Sequence, residues 1–390
     1  MLNTTLSPWP SYTDEEAIAV TKVLLSNKVN YWTGNECREF EKEFAVWTQS
    51  NYAVALSNGT LALDVALKAL NVGEGDDVIV TSRTFIASVS CIVTAGANPV
   101  FADVDSDSQN ITVETISSVL TPNTKVIIIV HLAGFPAEMD EIMEFARKNN
   151  ILVIEDCAQA HGAKYKGRSV GSIGHIGAWS FCQDKIMTTG GEGGMVTTND
   201  KELWSKMWSY KDHGKSWEAV YEKKHPPGFR WVHDSFGTNW RMMEFQAAIG
   251  RIQLKRMSDW SKTRKENAEK IWSVCKKFSF LRVPEIPEYI THAYYKCYVF
   301  TCPEKLPMNW GRDRIINELE QLGIPCFQGS CSEVYLEKAF ETTSWVPKER
   351  LSVAKSLGDT SLMFLVHPTL SAAEVQFVCE GIELVFNKVQ

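Results

Sequence analysis

Between about residue 50 and residue 200 the chain alternates short apolar, β-branched runs with longer stretches whose apolar residues recur every three or four positions. The runs are YAVALS (52–57), DVIVTS (77–82), PVFADV (99–104), KVIIIVH (125–131), ILVIED (151–156), GAWSFC (177–182) and GMVTTN (194–199). Near-continuous apolar runs of this length suit strands buried on both faces. Stretches such as Thr60 to Leu70, Ala137 to Lys148 and Met242 to Lys255 carry an apolar stripe that predicts helices packed on the sheet. The alternation predicts an α/β fold, with a mostly parallel seven-stranded sheet in a large domain over residues 1–260.

After about residue 260 the pattern changes. KTRKENAEKIWSVCKKF reads as a long polar helix, PEIPEYITHAYYKCYVFTC holds a strand, and further helices alternate with short strands. This predicts a smaller α+β domain over residues 261–390, joined through the long helix. The stretch from Tyr210 to Asp234, which holds Trp217, His225, Trp231 and His233, has little periodicity and is expected to be a long functional loop.

Composition narrows the function classes. At 390 residues, 44% hydrophobic and 22% charged, the chain matches ordinary globular proteins and not disordered or fibrous ones. Forty Lys and Arg against 47 Asp and Glu leave a net charge of −7, so no global basic field draws in nucleic acid or an anionic membrane. An anionic ligand must then be held by a local site. No apolar run reaches the roughly 18 residues of a membrane span, and MLNTTLSPWPSYTDEEAI lacks the basic flank and apolar stretch of a leader, so a cytoplasmic location is expected. Ten cysteines without CxxC pairs read as reduced thiols. The nearest pair, Cys326 and Cys331, has no neighbouring His or second Cys pair to complete a tetrahedral metal site.

Ligands of open α/β sheets bind at the carboxyl ends of strands, which directs attention to three places. YAVALS runs into Ser57-Asn58-Gly59-Thr60 and then a helix, whose free N–H groups and dipole form an anion seat, although the same residues serve as ordinary N-caps. ILVIED ends in Glu155-Asp156, and a carboxylate at the tip of a buried strand needs a cation or donor to meet it, or else caps a helix. GAWSFC places Ser180 at a strand end and Lys185 in the following turn, before a glycine-rich bend from Gly190 to Gly194. A lone lysine is ordinarily a solvated surface residue, but one between an apolar strand and such a bend is desolvated and suited to Schiff-base chemistry. An anion seat, a strand-end carboxylate and an accessible amine are together what pyridoxal 5'-phosphate requires.

On these residues, and on SNGTLALDVALKAL, GDDVIVTSRTFIASVS, AGANPVFADVD, HLAGFPAEMDEI, VIEDCAQAHGAKYKGRSVGSIGHIGAWSF and GTNWRMMEFQAAIGRIQL, the chain resembles the DegT/DnrJ/EryC1/StrS family of pyridoxal phosphate-dependent nucleotide-sugar aminotransferases. The resemblance implies the fold type I architecture of the aspartate aminotransferase superfamily. It implies that Lys185 forms the internal aldimine and moves the proton between substrate and cofactor, and that Asp156 keeps the ring nitrogen protonated. Gln159 would lie over the ring and Phe85 would stack on it. Gly59, Thr60 and Ser180 would hold the phosphate, with Asn239 reaching it from the neighbouring subunit of a homodimer with shared sites. Trp32, Thr33, His213 and Arg230 are the candidate substrate contacts. The implied reaction passes an amino group, with glutamate as donor, through pyridoxamine 5'-phosphate to a nucleotide-linked keto sugar, a step of lipopolysaccharide or O-antigen supply. Two rivals share the fold. A sugar dehydratase bears His where this chain has Lys185, and a non-catalytic regulator would lack Lys185 or Asp156. The C-terminal third matches the family only loosely.

Overall fold

A computed structural model describes residues 6–389. Its seven-stranded sheet contains β1 (Tyr52–Leu56), β2 (Asp77–Thr81), β3 (Asn98–Ala102), β4 (Thr124–Val130), β5 (Leu152–Asp156), β6 (Ile176–Ser180) and β7 (Gly194–Thr198), one for each apolar run. The spatial order is β1-β7-β6-β5-β4-β2-β3. Strands β2 to β6 pair in parallel, and β7 runs antiparallel to both β6 and β1. The sheet is therefore mostly parallel, as the alternation predicts. β7 returns antiparallel because residues 181–193, which connect it to β6, form turns and bends and no crossover helix to carry the chain back across the sheet.

Apolar side chains fill both faces of the sheet. One cluster joins β1 and the Gly59–Ala69 helix to Phe40, Phe44 and Trp179. The other packs Ile79, Ile127, Ile129 and Val153 against Met139, Ile142 and Ala146 of the Met139–Asn149 helix. Each β-strand presents alternate side chains to opposite faces, so Ile127 and Ile128 belong to different clusters although they are adjacent.

The predicted Met242–Lys255 helix and the polar helix after it are one element, Glu244–Cys275, of 32 residues and about 48 Å. Its first half contributes Ala247, Leu254 and Met257 to the core under the large sheet. Its last turns give Ala268, Ile271 and Trp272 to a separate cluster around a four-stranded sheet. That sheet has the order Leu281–Arg282, Cys297–Thr301, Ser361–Phe364, Cys326–Phe327 and is wholly antiparallel. Cys326 is buried in this second core while Cys331 is exposed, so the two thiols have different surroundings. The aperiodic stretch after Tyr210 is a long excursion held at its base by the Asp212–Asn239 and Lys215–His233 bridges, with one π-helical turn at Glu218–Glu222.

Candidate active site

The carboxyl ends of β1, β5 and β6 open on one cavity of about 950 Å³, lined also by Tyr295, Lys296 and Ser330 from the C-terminal part of the chain. Seven residues singled out in the sequence line it: Gly59, Thr60, Phe85, Asp156, Gln159, Ser180 and Lys185. They come from distant parts of the chain, and the parallel sheet brings them together by ending its strands on the same side.

At the anion seat, Asn58 is extended and its side chain accepts from Leu61 N at 2.9 Å, which starts the helix at Gly59. The N–H groups of Gly59 and Thr60, both of which line the cavity, then have no helical acceptor. A Cβ on Gly59 would lie 2.4 Å from Ser180 Cβ, so only glycine lets the helix end approach the β6 serine. The result is a cradle of two backbone donors and a hydroxyl beside a helix N-terminus.

At the tip of β5, Asp156 lies between Val130 and Ala178 and is almost fully buried. Its Oδ2 accepts from Ser88 Oγ at 2.8 Å and its Oδ1 from Ala158 N at 3.1 Å; Ser88 Oγ lies 2.8 Å from Thr84 Oγ1. Burial pushes the Asp156 carboxyl above the usual carboxylate range, with the Ser88 and Ala158 donors and the charge of Lys185 pulling it down. A buried carboxylate in that condition favours a cationic N–H partner in the cavity. The adjacent Glu155 points to the opposite face. It accepts from Gly171 N, Ile173 N and Gly174 N and lies 3.0 Å from His131 Nε2. Burial alone raises its carboxyl, but His131 and these donors outweigh burial and leave it lowered.

Lys185 sits in the turn after β6, where its N–H donates to Cys182 O and Trp9 Nε1 donates to its carbonyl. Its side chain is only 15% exposed, with Nζ 3.6 Å from Asp184 and 5.2 Å from the centre of the Tyr295 ring. Asp184 is held in turn by the Tyr295 hydroxyl. The bend that follows uses positive φ at Gly190 and Gly191, as the glycine run predicts. Phe85 is 67% exposed and lines the cavity, so it is not a core aromatic. Gln159 is buried, and its Oε1 accepts from Ala133 N at 2.8 Å.

Asn239 does not line this cavity, and neither do Trp32, Thr33, His213 or Arg230. Asn239 pairs with Asp212, and Thr33, His213, Arg230 and Asn239 itself are exposed. Trp32 is packed in an aromatic group with Trp208 and Tyr221, under Lys215 Nζ at 4.1 Å. Sequence reading passed over Thr84, Ser88, Asp184, Tyr295 and Lys296. The spacing of Thr84 and Ser88, four residues apart at a helix start, and a lysine within the apolar run HAYYKCYVF are the signals that point to them.

The donor set fits pyridoxal phosphate: a cradle for a dianion, a buried carboxylate for a ring N–H, an exposed aromatic face and a desolvated amine surround one cavity. Fold and site together define a fold type I, pyridoxal phosphate-dependent aminotransferase. The model of the DegT/DnrJ/EryC1/StrS aminotransferase family matches residues 10–383, and the chain belongs to that family. It is 35% identical over 377 residues to the GDP-perosamine synthase of Escherichia coli O157:H7, covering 96% of each chain. An aminotransferase from Psychrobacter cryohalolentis solved by X-ray diffraction superposes with a TM-score of 0.98 at 64% identity, over 98% of this chain and 99% of that one. S. venezuelae DesV, solved in complex with a ketimine intermediate, superposes with a TM-score of 0.85 at 29% identity, over 97% of this chain and 95% of its own.

Proposed function

We propose that the chain transfers an amino group from glutamate to a keto-deoxysugar linked to a nucleotide diphosphate. The observation that carries this reading is the meeting of Asp156 and Lys185, from two different strand ends, at a cavity that also receives the Gly59–Thr60 helix start. The GDP-perosamine synthase relative supports the nucleotide-sugar class. Bound in this cavity, pyridoxal phosphate supplies an electron sink and carries the amino group between the two half-reactions. Gly59, Thr60 and Ser180 would hold its phosphate, and Phe85 and Gln159 would contact its ring. Asp156 would keep a proton on the ring nitrogen, and Lys185 Nζ would carry the proton to and from the reacting carbon.

The working unit in this proposal is a cytoplasmic homodimer, with Asn239 completing the partner's phosphate site. It divides each chain into a large domain over 1–260 and a small one over 261–390. Supporting the dimer, Phe236 is 99% exposed and Phe229 and Trp231 are largely exposed on the excursion that leads to Asn239. Trp32, Thr33, His213 and Arg230 then act on the sugar nucleotide across the interface, and the product feeds lipopolysaccharide O-antigen synthesis. No helix among the described residues is long and apolar enough to cross a membrane.

The test uses the absorbance of the bound cofactor. Glutamate should abolish it in the wild type, a keto-sugar nucleotide should restore it, and Lys185→Ala should do neither. Arg230→Ala should raise KM for the sugar nucleotide and leave the glutamate step intact. Equal turnover of free and nucleotide-linked keto sugars would exclude the nucleotide-sugar assignment.

A further inference from the structure

The small domain adds a second ammonium group to the wall beside Lys185. Lys296 lines the cavity, and its Nζ lies 4.8 Å from the centre of the same Tyr295 ring that Lys185 approaches. Among the described residues Lys296 has neither a hydrogen-bond acceptor nor an ion-pair partner. Asp184, the carboxylate that faces it, is already shared between Lys185 and the Tyr295 hydroxyl. Behind it, the buried guanidinium of Arg264 leaves Nε and Nη2 without a protein partner. Burial, together with the charges of Arg264 and Lys185 and against that of Asp184, pushes the Lys296 ammonium down to about 8. This wall carries positive charge that the protein does not neutralise, and a substrate anion would do so.

Connectivity decides which anion. A cation beside the amine that performs the exchange meets groups attached directly to the reacting carbon. In an α-amino acid that group is the carboxylate, one bond from the carbon that carries the nitrogen. In a keto sugar the neighbours of the reacting carbon are other ring carbons, and the diphosphate hangs from a more distant one. We infer that Lys296 binds the α-carboxylate of the amino donor, and so acts in the donor half-reaction without contributing to recognition of the sugar nucleotide. This rests on the aminotransferase reading above.

The test compares wild type with Lys296→Met and Lys296→Arg in the pyridoxal phosphate-loaded enzyme. Loss of one charge-assisted contact should raise the glutamate concentration for half-maximal bleaching about 10- to 100-fold in Lys296→Met, with Lys296→Arg close to wild type. The constant for the keto-sugar nucleotide should not move. Bleaching by 4-aminobutyrate, an amine with no α-carboxylate, should be the same in wild type and Lys296→Met. Spectral titration with glutamate in a Lys185→Ala background, where turnover is absent, should show the same weakening as a binding constant. Replacing an unpaired, largely buried ammonium by a thioether should leave the melting temperature unchanged or raise it. An unchanged glutamate constant in Lys296→Met, or equal losses for glutamate and sugar nucleotide, would overturn the assignment while leaving the aminotransferase reading intact. If glutamate, glutamine and aspartate all fail to bleach the wild type, both fall together.

Discussion

Glu155 and Asp156 leave the end of one strand in opposite directions, and their surroundings give them opposite acid–base behaviour. Asp156 is raised by burial, so on raising pH the unfolded chain ionises this group first, near pH 4, and the native cofactor-free protein loses stability from there up to the raised native value. Asp156→Asn removes that loss. The cofactor-free variant should melt at or above wild type at neutral pH while its kcat falls at least about 100-fold, as for one lost electrostatic partner. Calorimetry beside steady-state assays separates the two effects, and a variant with near-normal turnover would make Asp156 a helix cap. Glu155 is lowered, so its contribution is present at neutral pH and disappears as pH falls below about 4 through the native value. Glu155→Gln should cost about 2–3 kcal/mol by urea unfolding at neutral pH, with the difference from wild type shrinking in acid.

Among the elements, the Gly59–Ala69 helix and β6 are coupled through their closest approach. A methyl group at Gly59 has no room beside Ser180, so Gly59→Ala must push the helix start away from the strand end. Both backbone donors then leave the cradle together, and the affinity for pyridoxal phosphate should drop at least about tenfold in equilibrium dialysis. Thr60→Ala, which keeps the backbone in place, should lose much less; equal losses would place the cradle in the Thr60 hydroxyl and not in the helix start. The Glu244–Cys275 helix works at a larger distance. Because its two halves belong to the cores of the two sheets, it ties one core to the other.

For the whole molecule, the proposed sharing of sites between two chains can be tested by complementation. Lys185→Ala alone should be inactive and Asn239→Ala alone impaired. Refolded together, they should form mixed dimers in which one site has an intact Lys185 and an intact Asn239 from different chains. Recovery of activity above either parent is the expected result. Mixtures no more active than Asn239→Ala diluted by the same amount would mean that each site is built within one chain.

Much of this was written locally. Each of the seven apolar runs became a strand of the large sheet, and SNGT, the end of ILVIED and the Lys185 turn all reached one cavity, because strand periodicity and the rule that parallel strands end together need no knowledge of distant contacts. The candidate helix at Met242 was also legible, but its continuation to Cys275 was not, since the change from apolar to polar residues reflects a change of packing partner and not an interruption of the helix. Thr84, Ser88, Asp184, Tyr295 and Lys296 stayed hidden for a related reason. Their local signals, a Thr–Ser spacing and a lysine in an apolar run, name no role, and each residue acquires its role only from a group brought beside it, as Ser88 does from Asp156 and Lys296 from Lys185. The amino-acid sequence by itself determined the strands, the helix starts and the chemistry at their ends. Tertiary structure alone decided which charges share the cavity with Asp156 and Lys185, because burial and neighbouring charge depend on distances that the order of residues does not contain.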